Sequence, residues 1–115
     1  MAESAPVQLN LYLEQGATYE FATHSNLDLS EYQLEMHIRR SFTSTSPTVT
    51  LTEASGIAKV VAGNHTDITI TIPASAFSSV AMPWHGVYDL EARLGGVTYR
   101  LRSGGVRVEP NATYS

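Results

Sequence analysis

The sequence predicts an all-β protein, an antiparallel sandwich or barrel of about seven to nine short strands. Three observations carry this. Apolar and polar residues alternate over several stretches, above all at Val7, Leu9, Leu11 and Leu13 and at Ile68, Ile70 and Ile72. A period of two puts one set of side chains on a buried face and the other in water. Turn-forming residues separate these stretches at the spacing of a sandwich, and Gly95-Gly96 stands between two of them as a two-residue hairpin turn.

In chain order, strands are expected over residues 7–13, 17–22, 48–52, 57–61, 67–72, 87–93, 97–102 and 105–109. The segment 29–40 fits two readings. Ser30 with Gln33 forms a capping-box pattern, and Leu27, Leu34 and Ile38 fall along one helical stripe. Leu34, Met36 and Ile38 also alternate with Gln33, Glu35, His37 and Arg39, which favours a turn over 29–32 followed by a strand. Residues 73–80 read as a turn with a short helical piece, because Pro73 ends a ladder and Ser75, Ser78 and Ser79 bond local backbone. Residues 1–6 and 111–115 read as loosely held or partner-bound tails of a single domain spanning 1–115.

The Gly95-Gly96 turn sets a register for its hairpin, with positive φ expected at both glycines. Leu94 opposite Val97 pairs Ala92 with Tyr99 and Leu90 with Leu101 on one face. The other face pairs Glu91 with Arg100 and Asp89 with Arg102, opposite charges facing each other across the ladder.

The 115 residues carry 7 Lys+Arg against 11 Asp+Glu, a formal charge of −4, with 43% hydrophobic residues. Such a chain is long and apolar enough for one core. Its acidity argues against a nucleic-acid partner, whose phosphates need clustered Lys and Arg. The absence of cysteine excludes disulfides and thiolate metal sites. No apolar run reaches the roughly 20 residues of a membrane span, and the N-terminus lacks the pattern of a signal peptide. A soluble, non-secreted domain without membrane or nucleic-acid partners is expected.

No catalytic constellation stands out, and no enzyme is expected. His24, His37, His65 and His85 lack the short spacings of a metal site, so no metal or other cofactor is expected. Asp89 and Glu91 share a strand face, but each has an arginine opposite in the expected hairpin. No serine has a nucleophile-elbow context, and no glycine-rich loop would cradle phosphate. The segment 82–86 is the candidate interaction loop: Trp84, with Met82 and His85, is either a lid over one end of the core or an exposed anchor. The lid is the favoured reading. Tyr12 and Tyr114, at outward and tail positions, are further interface candidates.

The order of these signals is itself distinctive. Leu11-Tyr12-Leu13-Glu14-Gln15-Gly16-Ala17-Thr18-Tyr19 reads as strand, Gln-Gly turn and strand. Leu27-Asp28-Leu29-Ser30-Glu31-Tyr32, the amphipathic segment 33–39, a Gly56-Ile57 step and the 67–72 strand follow. Gly86-Val87-Tyr88-Asp89-Leu90-Glu91, the glycine hairpin, Arg100-Leu101 and Gly105-Val106-Arg107-Val108 complete the series. Over residues 7–111 this resembles the small immunoglobulin-like β-sandwich domains of tailed-bacteriophage virion proteins. Similar domains form the N-terminal part of upper-baseplate and tail-neck proteins.

The resemblance implies a virion structural protein, assembled in the bacterial cytoplasm, with no catalytic residues to carry over. It implies a turn plus strand over 29–40. It also implies many copies, in a symmetric ring or other homo-oligomer, contacting tail, baseplate, neck or fibre proteins. Unlike in the longer members, no fibre-like or coiled-coil extension is expected after the sandwich, so an adaptor or wedge role is expected. Two alternatives are a capsid decoration (cement) protein and a carbohydrate-binding module using Trp84 as a stacking platform.

Overall fold

A computed structural model describes residues 7–110. Among these described residues there are nine strands: β1 (Val7–Gln8), β2 (Leu11–Glu14), β3 (Tyr19–Ser25), β4 (Gln33–Arg39), β5 (Val49–Thr52), β6 (Ile57–Ala62), β7 (His65–Ile72), β8 (Trp84–Leu94) and β9 (Val97–Glu109). There is no helix among the described residues. The larger sheet runs β1-β9-β8-β4-β5, with β2 also on β9, and the smaller runs β3-β7-β6. Pairing is antiparallel except where β1 and β2 lie parallel to β9. Two facing sheets in this strand order are an immunoglobulin-like β-sandwich, the expected fold class.

Alternation builds the core. Leu34, Met36 and Ile38 of β4 and Tyr88, Leu90 and Ala92 of β8 point inward against Ile68, Ile70 and Ile72 of β7. Segment 29–40 is therefore turn plus strand. The Tyr32 N–H donates to the Leu29 carbonyl at 3.1 Å to close the turn, and Leu27, which the helical stripe would bury, stays exposed. Segment 73–80 contains no helical piece. Bonds from Ala76 to Pro73, Ser78 to Ser75 and Val80 to Phe77 close successive β-turns, which bring Phe77 under Trp84 with ring centroids 5.1 Å apart.

The expected first strand is two short ones. Both keep one register against β9, but Leu9 and Asn10 leave the ladder opposite Gly104 and Gly105. The backbone comes so close there that a Cβ on Gly104 would lie 2.3 Å from the Leu9 oxygen. Leu9 consequently stays 47% exposed instead of inward. Its carbonyl accepts a 2.7 Å hydrogen bond from the Tyr88 hydroxyl, so the freed acceptor is satisfied.

The β8–β9 hairpin follows the expected register for half its length. Leu94 pairs with Val97, Ala92 with Tyr99 and Glu91 with Arg100. Of the two turn glycines, Gly95 alone has positive φ (58°), the type II′ pattern rather than type I′. Beyond Glu91 a β-bulge makes Leu101 the extra residue, so Leu90 faces Arg102 and Asp89 faces Ser103. The expected Leu90–Leu101 and Asp89–Arg102 pairs do not form.

The shift turns Arg102 to the inner face, where it is 5% exposed. Its guanidinium lies 4.7 Å over the Phe21 ring and donates to the Ala22 carbonyl of β3 at 3.3 Å. One arginine thus links the two sheets. Asp89, left without the expected partner, keeps only Arg100 at 3.9 Å.

Candidate interaction surface

The outward face of the larger sheet gathers residues from three strands. Leu11 and Leu13 are buried, so Tyr12 between them points out and is 66% exposed. Tyr12 pairs with Arg107 in β9, and Arg107 pairs with His85 in β8. An aromatic ring, a guanidinium and an imidazole therefore stand in one row across the sheet. In the next row Gly105 contributes no side chain, and its N–H donates to Asn10 Oδ1 at 2.9 Å. The result is a shallow depression of ≈ 270 Å³ bordered by Tyr12, His85, Asn10 and Arg107. Arg107 is steadied by an ion pair with Glu109.

The other half of this face is internally paired. Arg93 contacts Glu91 at 2.8 Å and Glu35 at 3.2 Å. Arg100 reaches Glu91 at 3.5 Å, and His37 Nε2 lies 3.2 Å from Glu35. The hydrogen bond to Glu91 pushes the Arg93 pKa further up. Here three carboxylates (Glu35, Asp89, Glu91) share two guanidiniums (Arg93, Arg100), which ties this half to itself and leaves the Tyr12 end as the open part.

Two of the residues expected at an interface, Tyr12 and His85, thus meet in one row. Trp84 does not join them. It is 3% exposed, packed on Phe77 and covered by the Arg40 guanidinium 5.7 Å above its ring. Gly86 makes room for it, since a Cβ there would lie 2.4 Å from the indole. Trp84 is the lid of the core, so neither the exposed anchor nor the carbohydrate-stacking platform survives. Met82 is half-buried against the same cluster, and Tyr114 lies outside the described residues. Arg107 and Asn10 were not legible as surface partners, because their placement depends on β2 lying parallel to β9.

A second constellation stands on the outward face of the smaller sheet. His24 in β3 pairs directly with Asp67 in β7, and His65 lies two residues before Asp67 on the same face. His24 Nδ1 is 2.8 Å from Asp67 Oδ1 and its Nε2 is 3.1 Å from Asn26 Oδ1. The two imidazole rings are 4.9 Å apart. The hydrogen bond to Asp67 holds the His24 pKa above 6.5.

No family model matches the chain, and no curated protein matches it. Among solved structures the chain is similar to the extracellular domain of the voltage-gated sodium channel beta4 subunit, whose parallel homodimers explain its role in cell-cell adhesion. The identity is 12% and the TM-score 0.44, over 96% of this chain and 98% of that one.

Proposed function

We propose that this chain is a non-catalytic binding module serving as a multi-copy structural component of a bacteriophage virion, an adaptor or wedge in the tail, baseplate or neck. The observation that carries the binding reading is the Tyr12–Arg107–His85 row beside the bare backbone at Gly105. Tyr and Arg are the residue types enriched at interface hot spots. Here they stand on paired strands, so little backbone order is lost when a partner docks. The virion reading is supported by the order of strand and turn signals in the sequence. In a closed ring each weak contact is repeated by symmetry and strengthened by effective concentration.

The test is capture of phage proteins from an infected-cell lysate on the immobilised chain, identified by mass spectrometry. Wild type is expected to retain tail, baseplate or neck proteins. Tyr12→Ala with Arg107→Ala is expected to weaken that binding at least about 30-fold, as loss of about 2 kcal/mol would. Retention of no virion protein overturns the virion reading. Equal retention by the double variant overturns the surface.

A further inference from the structure

Three metal-ligating side chains outside the Tyr12 row converge on the opposite sheet. The ligand atoms of His24, His65 and Asp67 all lie within 4.8 Å of one another. We propose that these three residues form a binding site for a divalent transition-metal ion of the zinc class. Two imidazole nitrogens and one carboxylate oxygen are the donor types such ions take, and three protein ligands leave a fourth position for water. Calcium and magnesium favour sites built mainly of oxygen donors, which this is not.

The geometry needs only side-chain movement. A tetrahedral ion with bonds of about 2.1 Å wants its donors about 3.4 Å apart. His24 Nδ1 and Asp67 Oδ1, at 2.8 Å, already share a proton at the place the ion would take. On binding, that proton leaves to solvent and the ion bonds both atoms. The ladder from Thr23 opposite Ile68 to Ser25 opposite Thr66 fixes the backbone on either side. Asn26 Oδ1 holds the remaining His24 nitrogen, the outer-shell partner that orients metal-bound imidazoles. His24 and Asp67 are each more than half exposed, so the ion enters directly from water.

The experiment follows the imidazole nitrogen resonances of the untagged chain by NMR during titration with ZnCl₂, then separately with CaCl₂, at pH 7.5. Zinc is expected to shift the His24 and His65 rings saturably, with a dissociation constant below about 100 μM. His24→Ala and Asp67→Asn are expected to weaken binding at least about tenfold while keeping the wild-type amide spectrum elsewhere. His85→Ala is expected to bind zinc as wild type does, and calcium to leave both rings unmoved. Unsaturated shifts at 1 mM zinc, wild-type affinity in His24→Ala, or loss of binding in His85→Ala would overturn the site.

Discussion

Replacing Trp84 by alanine removes the lid that closes one end of the sandwich. The indole is 3% exposed and packs on Phe77 with centroids 5.1 Å apart. Burying about 200 Å² of aromatic surface at about 25 cal/mol per Å² is worth about 5 kcal/mol. Compactness of the denatured chain lowers that to about 3–4.5 kcal/mol, within the usual range for losing a buried tryptophan. Urea unfolding followed by far-UV circular dichroism reads it as a midpoint lower by about 2 M, for a slope near 2 kcal/mol/M. Trp84→Phe keeps a ring against Phe77 and is expected to cost about 1–2 kcal/mol, so the comparison survives if the alanine variant fails to fold. A loss below about 1 kcal/mol in Trp84→Ala, at unchanged slope, would refute the lid and restore the exposed anchor.

Gly86→Ala puts a Cβ 2.2 Å from the Arg39 oxygen. It is expected to cost about 2–3 kcal/mol in the same assay, whereas Gly96→Ala, with nothing within 4 Å, is expected to change stability by about 0.5 kcal/mol at most. Lys59 Nζ donates to the Tyr32 and Leu29 carbonyls at 2.6 and 2.9 Å and pins the smaller sheet to the turn before β4. Lys59→Met is expected to destabilise by about 2 kcal/mol, and a neutral result in urea would remove that role. In metal-free buffer the His24 imidazole, facing Asp67, Asn26 and His65, is expected to titrate above 6.5 by NMR and to fall back in Asp67→Asn. Because the folded value is raised, its stabilising contribution is complete below the unfolded value and fades as pH rises through the folded midpoint. A wild-type midpoint at or below 6.5 contradicts the pairing.

How far the sequence could be read depended on whether a feature was local. Alternation at Leu34, Met36 and Ile38 was enough to place β4, and the glycine turn was enough to pair Ala92 with Tyr99 and Glu91 with Arg100. The bulge at Leu101 was hidden because its consequence is tertiary. Arg102 swings inward to Phe21 and Ala22, about eighty residues away along the chain. Tyr12 and His85 could be singled out one by one, but their common row needs Arg107 between them, supplied by β9 pairing on both sides. The His24–Asp67 pair spans 43 residues, and the register of β3 on β7 brings it together. No short-range spacing encodes it.

Absolute quantification of the chain in purified virions, with isotope-labelled peptides as standards, tests the central claim most directly. A subunit of a tail, baseplate or neck ring is expected at about six to twelve copies per particle, or a small multiple of that. Absence from the particles, or hundreds of copies coating the shell, would contradict the account.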